Sequence, residues 1–266
     1  MLGMMDQVTQ ILREAAAVAI LPRFQALAEG EVSEKSPGEV VTAADREAEQ
    51  LITRRLREVL DAPVVGEEAS AADPGLPAAL RAAPTAWLVD PLDGTANFVA
   101  GRPHYAVMAA LVRAGEAVAC WIVQPATGHA YLAERGAGAW RDGVRLRRAP
   151  APGALDELRG AALSRFLDPA ARERVARAAE RVAELGSGTG SAGVDYPELA
   201  TGRLDFLRYH RTLPWDHAPG TLLVRETGGV ARRLDGAEYG VADERTGLLV
   251  AADPHCWDTV RSALED

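Results

Sequence analysis

The sequence has little cysteine, no long apolar run and no excess of positive charge, and each shortage excludes a class of protein. Cys120 and Cys256 lie far apart and form no CxxC pair, which argues against a disulfide framework and a zinc site. The apolar stretch at 15–21 is too short for a signal peptide or a membrane span, so we expect a soluble protein of the reducing cytoplasm. The 29 Lys and Arg against 38 Asp and Glu give a net charge of -9, which argues against nucleic acid as the main partner.

The first part of the chain has the pattern of an α+β protein. Apolar residues at helical spacing predict a helix over 6–28, kinked at Pro22, and the capping pattern of Thr42 and Asp45 predicts the start of a second helix. Short apolar runs at 63–66 and 85–89 predict buried strands that end in acidic residues. Segments 105–112, 117–123 and 129–133, separated by turn residues, predict an antiparallel meander.

The second part of the chain alternates strands and helices. Residues 145–152, rich in proline near their end, predict a linker. Beyond it the pattern predicts a strand at 158–163, a helix at 169–184, a glycine-rich loop at 186–193 and a helix at 195–201. A strand, a helix at 216–227, a further strand and a final helix follow. We therefore predict a layered α/β protein with an α+β half at 1–150 and an α/β half at 151–266.

The most informative segment is the loop W-L-V-D-P-L-D-G-T-A-N-F at 87–98, in which an apolar strand runs directly into two carboxylates. Pro91 restricts the loop, so that Asp90 and Asp93 can face one point, and Gly94 lets the backbone approach a ligand closely. Mg²⁺ prefers oxygen ligands and is commonly held by one or two carboxylates together with waters and substrate phosphate. A second ion would need further acids, for which the candidates are Glu67, Glu68 and Asp216.

The same loop has a plain alternative, because Asp, Pro and Gly all favour surface turns. An EF-hand is excluded, since the twelfth position of the loop is Gly101 rather than glutamate. Phosphatases that form an aspartyl-phosphate use D-x-D-G-T, and the spacing here is one residue longer.

Four motifs together resemble the inositol monophosphatase family, in order and with similar separations. They are V-T-A-A-D at 41–45, G-E-E at 66–68, D-P-L-D-G-T-A-N-F at 90–98 and W-D-H-A-P-G at 215–220, and the Gly-Gly pair at 228–229 matches as well. The family belongs to a magnesium-dependent, lithium-sensitive phosphatase superfamily that also includes fructose bisphosphatase and bisphosphate nucleotidases. The resemblance implies an αβαβα sandwich and a homodimer that hydrolyses a small-molecule phosphate ester.

The resemblance also implies the roles of individual residues. Glu67, Asp90 and the carbonyl of Leu92 would bind one Mg²⁺, and Asp90, Asp93 and Asp216 a second, with a weaker third ion at Glu67; Mn²⁺ could replace Mg²⁺. Thr95 and Asp45 would orient and deprotonate the attacking water. The substrate and its phosphate would contact Asp93, Gly94, Thr95, Gly190, Ser191, Ala192 and Asp216. The half at 1–150 would bind the metals, and the half at 151–266 would recognise the substrate.

Each acidic residue also has a structural interpretation. Asp45 can serve only as a helix cap, and Asp216 can simply stabilise the start of a helix. Glu67 and Glu68 can be solvated turn residues; because neighbours at a strand end point apart, we expect at most one of them to bind an ion.

The sequence departs from the family pattern in the segment that determines which substrate is bound. An inositol phosphatase is expected to carry a glutamate near position 209, but R-Y-H-R stands at 208–211. Tyr209, His210 and Arg211 would suit a substrate with a second anionic group, such as a sugar bisphosphate, a nucleotide phosphate or a phosphorylated acid. Alternatively they face solvent or a subunit interface. His217, next to Asp216, either contacts the substrate or lies on a helix surface.

The predicted function is therefore hydrolysis of a phosphate monoester with Mg²⁺. The alternatives within the superfamily are a bisphosphate nucleotidase, a fructose bisphosphatase and a histidinol phosphatase. A regulatory protein of RNA metabolism that retains the fold is the alternative from another class.

Overall fold

The computed structural model describes residues 2–36 and 38–265, and its central feature is a pair of β-sheets with helices between and outside them. The helices are α1 (Leu2–Ala15), α2 (Ala43–Val59), α3 (Glu67–Ala72), α4 (Ala79–Ala82), α5 (Thr95–Val99), α6 (Pro169–Ala179), α7 (Ala192–Ala200), α8 (Pro214–Glu226) and α9 (Pro254–Glu265). The strands are β1 (Val32–Ser36), β2 (Glu39–Thr42), β3 (Val64–Gly66), β4 (Thr85–Asp93), β5 (Ala106–Arg113), β6 (Glu116–Gln124), β7 (His129–Glu134), β8 (Gly138–Arg141), β9 (Val144–Arg145), β10 (Arg159–Ala162), β11 (Glu184–Gly186), β12 (Phe206–Tyr209), β13 (Val230–Arg233) and β14 (Leu248–Ala251).

The larger sheet has seven strands in sequential order from β3 to β9, and the smaller sheet has five in the order β11-β10-β12-β14-β13. In the larger sheet β3 and β4 are parallel, whereas the other neighbours are antiparallel. In the smaller sheet β10 runs parallel to β11 and β12, and β14 runs antiparallel to β12 and β13. Strands β1 and β2 form a separate hairpin.

Alternating side chains place each sheet between two helical layers. On β4, Trp87 and Val89 pack with α1 and α2, whereas Leu88 packs with α7 and α8 on the other face. On the smaller sheet, Leu207 faces α7 and α8, and Phe206 faces α9 and α6. The layers therefore run α-β-α-β-α, which confirms the predicted sandwich.

The element boundaries differ from the prediction in several places. The first helix ends earlier than residue 28, because a π-helical turn (Ala16–Ile20) and a 3-10 turn (Leu21–Arg23) that contains Pro22 close it. The predicted helix at 169–184 ends at Ala179, and its last predicted residue begins β11. The hairpin β1–β2, the short strands β8 and β9, and one of the two strands between α8 and α9 were not predicted.

The predicted linker crosses from one sheet to the other, and a buried ion pair holds it in place. The two sheets lie on either side of residue 150, but one apolar core joins β5 and β6 to α7, α8 and the smaller sheet. The division at residue 150 therefore stays a prediction. Arg148 donates to Asp205 at 2.7 Å and to the carbonyl groups of Leu199 and Leu204, and both charged side chains are 3% exposed.

Arg148→Leu is expected to lower the free energy of unfolding by about 3–5 kcal/mol, because it leaves the Asp205 carboxylate buried and without its cation. Chemical denaturation measures the change, and Arg147→Leu, at a neighbouring exposed position, is the control. Equal small losses in the two variants would contradict a stabilising role for the pair.

None of the helices in the described ranges is both long and apolar enough to cross a lipid bilayer.

Candidate active site

The last residues of β4 include Asp90 and Asp93, which therefore lie at the C-terminal end of that strand. The pairing of β4 with β5 shifts register between these two residues, so the strand bulges where Pro91 and Leu92 stand. The backbone N–H of Leu92 donates to Asp90 Oδ1 at 3.0 Å, which fixes that carboxylate. Gly94 has φ 87, in the left-handed region, and a Cβ there would lie 2.7 Å from the carbonyl oxygen of His104. Only glycine fits this turn.

Asp45 caps α2 and also contacts Thr95. Its Oδ2 accepts from the backbone N–H of Thr42 at 2.8 Å and from the Thr42 hydroxyl at 2.5 Å, which completes a capping box. Its Oδ1 lies 2.9 Å from the Thr95 hydroxyl, which is also 2.9 Å from the carbonyl oxygen of Leu92. Burial raises the pKa of Asp45. The predicted water-activating pair is thus in hydrogen-bond contact.

Glu67 and Glu68 are the first two residues of α3 and do not end a strand. The strand geometry that would make their side chains point apart therefore does not apply to them. Both accept from Lys35 of β1, Glu67 at 2.5 Å and Glu68 at 2.8 Å. Burial first, and then the charge of Glu67, raises the pKa of Glu68 to about 7, although Lys35 opposes the shift. The pKa of Lys35 is raised in turn, because the two carboxylates outweigh the effect of burial on the ammonium. Lys35 therefore neutralises this acidic corner.

Asp93 links the end of β4 to the start of α7. Its oxygens accept from the Ser191 hydroxyl and from the backbone N–H groups of Ala192, at 3.2 Å, and Gly193, at 2.7 Å, at the start of α7. Burial raises the pKa of Asp93 to about 6, and these hydrogen bonds limit the rise. Ser191 and Ala192 thus contact a candidate metal ligand, which the sequence did not indicate.

The remaining carboxylates repel one another. Asp216 lies in the first turn of α8, whose dipole favours an acid there. Burial, followed by the charges of Glu67 and Asp93, raises the pKa of Asp216 well above its usual value. Burial and the charges of Glu67, Asp93 and Asp216 do the same to the pKa of Asp90. A cluster of this kind is stabilised by a cation.

All of the predicted metal ligands line one cavity of about 160 Å³ between the sheets. Its walls carry Glu67, Asp90, Leu92, Asp93, Gly94, Thr95, Gly190 and Asp216, together with Lys35, Glu39, Arg165 and Arg211. A second cavity of about 170 Å³ adjoins it and shares Asp93, Gly190, Arg211 and Asp216. Ser191, Ala192, Tyr209, His210 and His217 also line the second cavity.

The oxygen ligands that line the first cavity suit a hard cation, but some of their side chains are not positioned to bind one. Within ranges 2–36 and 38–265, no three His, Cys, Asp or Glu side chains are arranged so that they could bind one metal ion together. Two contacts explain this: Lys35 holds Glu67, and the start of α7 holds Asp93. The carboxylate and carbonyl oxygens that line the cavity are the ligand type that Mg²⁺ prefers. An ion bound by Glu67 would replace the Lys35 ammonium as the partner of that carboxylate.

The side chains of residues 208–211 point in different directions, and only some of them line the two cavities. Tyr209 is buried, stacks on Tyr196 with ring centroids 5.5 Å apart and lines the second cavity. Arg208, on the opposite face of β12, lines neither cavity. Arg211 faces both cavities and pairs with Glu39. Residues 209–211 therefore lie at the cavity wall, and their contact with a substrate stays a prediction.

His217 is not on a helix surface. Its Nε2 contacts the carbonyl oxygen of Arg211 at 3.1 Å, and its Nδ1 contacts the hydroxyl of Tyr196 at 2.8 Å. Burial lowers the pKa of His217 to about 3, so the neutral ring donates to the carbonyl and accepts from the tyrosine. His217 thereby anchors the backbone of the Arg211 segment.

Several residues at the cavity gave no signal in the sequence. Lys35 and Glu39 lie on the hairpin β1–β2, which reads as a polar stretch. Arg165 and Phe166 lie in the loop after β10, and the guanidinium groups of Arg165 and Arg211 lie 5.1 and 4.7 Å from the Phe166 ring centroid. Their proximity to the site depends on contacts between distant segments.

Known proteins share the sequence pattern and the fold of this chain. Residues 4–264 match the family model described as the inositol monophosphatase family. An inositol-1-monophosphatase of Rhizobium meliloti (strain 1021) is 33% identical over 238 residues, which cover 88% of this chain and 86% of the relative. The Nus factor SuhB of Escherichia coli (strain K12) is 30% identical over 242 residues, covering 89% and 86%.

A solved structure shares the architecture. The IMPase TM1415 of Thermotoga maritima superposes with a TM-score of 0.83 and 27% identity, covering 98% of this chain and 96% of that one. The chain belongs to the inositol monophosphatase family and is a phosphoric monoester hydrolase.

Proposed function

We propose that the protein hydrolyses a small phosphate monoester with Mg²⁺, by attack of an activated water on phosphorus. The observation that carries the proposal is that Asp90, Asp93, Asp216 and Glu67 line the same cavity as Thr95, whose hydroxyl is hydrogen-bonded to Asp45. Phosphate release from a panel of inositol, sugar, nucleotide and histidinol phosphates, with and without Mg²⁺, tests it. Hydrolysis that is independent of divalent cations would contradict it.

The proposed metal ligands follow the cavity wall. Glu67, Asp90 and the Leu92 carbonyl would hold one ion, Asp90, Asp93 and Asp216 the second, and Glu67 a weaker third; Mn²⁺ is the expected substitute. Such cations neutralise phosphate charge and make hydroxide available near neutral pH. Lithium is expected to inhibit the reaction.

Thr95 and Asp45 would move the proton of the attacking water. The Thr95 hydroxyl can donate to Asp45 Oδ1, which leaves the oxygen lone pairs of Thr95 free to accept from a water in the cavity. The carboxylate of Asp45 already accepts two hydrogen bonds from Thr42, so its orientation is fixed. Its raised pKa makes it a stronger base than a solvated aspartate.

The phosphate would lie against the turn that starts α5. The N–H groups of Gly94 and Thr95 open this helix, and the first N–H groups of a helix have no partner within it. In the adjoining second cavity, Gly190, Ser191 and Ala192 would contact the alcohol part of the substrate.

We propose further that the substrate carries a second anionic group near Arg211. Arg211 borders both cavities, so it can reach the alcohol part of an ester whose phosphate lies in the first. Arg165 adds a second positive charge to the same wall, and its Nη2 donates to the carbonyl of Gly38 at 3.0 Å. A planar guanidinium suits phosphate or carboxylate.

Arg211→Ala is expected to lower kcat/KM for bisphosphates and phosphorylated acids roughly 10- to 100-fold, because a hydrogen bond to a charged group contributes about 1.5–3 kcal/mol. Inositol monophosphate, which has no second anion, should be affected much less. Arg203→Ala, at a side chain 76% exposed, is the control. Unchanged selectivity in Arg211→Ala would contradict the second anionic group.

A regulatory role in RNA metabolism is the candidate from another class, and the similarity to SuhB favours it. The net charge of -9 argues against direct RNA binding, so a protein partner would be needed. Retention of such a partner by a protein that hydrolyses no ester of the panel would support this role instead.

We also propose a homodimer located in the cytoplasm. Sedimentation would then give twice the chain mass of 28.2 kDa. A single-chain mass at micromolar concentration would contradict the dimer, and recovery in a membrane or secreted fraction would contradict the location.

A further inference from the structure

Glu49 is a buried glutamate that does not line either cavity, and the proposed reaction gives it no role. It lies on α2, one turn after Asp45, and is 6% exposed. Burial raises the pKa of Glu49, and two backbone hydrogen bonds oppose the rise. A buried carboxylate is costly unless hydrogen bonds compensate for its lost hydration, so those two bonds indicate what it does.

The two bonds come from the start of α3. The N–H of Glu68 donates to Glu49 Oε2 and the N–H of Ala69 to Oε1, both at 2.8 Å. The residue before α3 is Gly66, which has no side chain to accept from these groups. Glu49 therefore supplies, from a different helix, the acceptors that a capping side chain normally provides.

Gly66 leaves the space that this contact requires. A Cβ at position 66 would lie 2.4 Å from Cδ and from Oε2 of Glu49. The φ of Gly66 is -98, which any residue adopts, so the backbone conformation does not demand glycine. The close approach of the Glu49 carboxylate accounts for glycine at this position.

The same face of α2 thus holds both parts of the proposed site. Asp45 contacts Thr95, and Glu49, four residues later, holds the helix whose first residue is Glu67. We infer that Glu49 is a positioning residue for the metal site: by binding the first turn of α3 it directs Glu67 toward Asp90. The inference rests on the proposed function, in which Glu67 is a metal ligand.

Binding of Mn²⁺ to the metal-free protein, followed by electron paramagnetic resonance, tests this without turnover. Glu49→Gln keeps the size of the side chain but replaces one acceptor oxygen with an NH₂ that faces an N–H donor. We expect its Mn²⁺ dissociation constant to rise roughly 10- to 100-fold, as for other groups that orient metal ligands. The Mg²⁺ concentration for half-maximal activity should rise in parallel, while kcat at saturating Mg²⁺ changes only a few-fold. Glu58→Gln, on the exposed side of α2, should bind Mn²⁺ like the wild type.

A double-mutant cycle tests the same contact from its other side. In Gly66→Ala the new methyl group displaces the Glu49 carboxylate, so Mn²⁺ affinity should fall as in Glu49→Ala. The double variant should be no worse than Glu49→Ala alone, because the methyl group then meets no carboxylate. Additive losses would overturn the inference, and Gly66→Ala keeps the test decisive if a Glu49 variant does not fold.

Mn²⁺ binding by the wild type distinguishes a failure of the inference about Glu49 from a failure of the proposed metal site. If it binds Mn²⁺ and Glu49→Gln binds equally well, Glu49 has no positioning role and the proposed function stands. A Glu49→Gln variant that loses only thermal stability leads to the same conclusion. If the wild type binds no Mn²⁺, the metal site fails, and the inference fails with it.

Discussion

Asp90→Asn is expected to reduce turnover at saturating Mg²⁺ by at least about a hundredfold, since metal stabilisation of the reacting phosphate contributes several kcal/mol and about 1.4 kcal/mol corresponds to a factor of ten. Among the proposed metal ligands, Asp90 has the largest expected effect because both proposed ions share it. The asparagine retains the volume and the oxygen that accepts from the Leu92 N–H, so the loop itself should persist. Steady-state phosphate release over a Mg²⁺ titration measures the loss.

The stability of Asp90→Asn shows whether its loss of turnover is caused by unfolding. The raised pKa of Asp90 means that its ionised form is disfavoured in the folded metal-free protein, so its charge lowers stability as the pH rises above the ordinary range of an aspartate near 4. Removing the charge at neutral pH should therefore leave the metal-free protein as stable as the wild type, or more stable. A variant that keeps most of its activity would contradict the assignment of Asp90 as a shared ligand.

Thr95→Ala is expected to lower kcat by roughly 10²- to 10⁴-fold, the range usual for loss of a positioned acid–base group. The change removes the hydroxyl that lies 2.9 Å from Asp45 but leaves the capping box of Thr42 and Asp45 intact. Mn²⁺ affinity should change little, because Thr95 is not a proposed ligand. Rapid-quench measurement of a single turnover reports the chemical step directly.

Thr95→Ser is the matched control, since it keeps a hydroxyl at the same position. We expect it to retain most of the rate that Thr95→Ala loses. Equal losses in the serine and alanine variants would show that the methyl packing of Thr95 matters, and not its hydroxyl.

Local sequence patterns were enough to predict the part of the site that lies on β4 and α2. The apolar run at 85–89 and the D-P-L-D-G-T loop predicted a strand that delivers two carboxylates, and Thr42 with Asp45 predicted the helix start. These features depend on residues that are neighbours in the chain, so their physics is visible in a short window.

The hairpin β1–β2 shows why other parts were missed. Val32–Ser36 is mainly exposed and has no apolar alternation, so nothing local marks it as a strand. It is held by pairing with β2 and by distant contacts, such as that of Arg165 with Gly38. Lys35, which pairs with Glu67, reaches the cavity only through this hairpin.

The substrate wall was predicted in part for the same reason. Position 209 was singled out because a glutamate was expected there, and the structure puts Tyr209, His210 and Arg211 at the second cavity. Phe166 lines the same cavity and Arg165 lines the first one, and both come from a loop more than forty residues earlier in the chain. The sequence alone contains no pattern that connects these two segments.

Anomalous diffraction from crystals grown with MnCl₂ tests the central claim most directly. We expect Mn²⁺ peaks in the cavity in contact with Glu67, Asp90 and Asp216, a pair of them about 3.5–4 Å apart, and the Lys35 ammonium displaced from Glu67. Saturating Mn²⁺ that leaves this cavity empty, with Lys35 still paired to Glu67, would contradict the account.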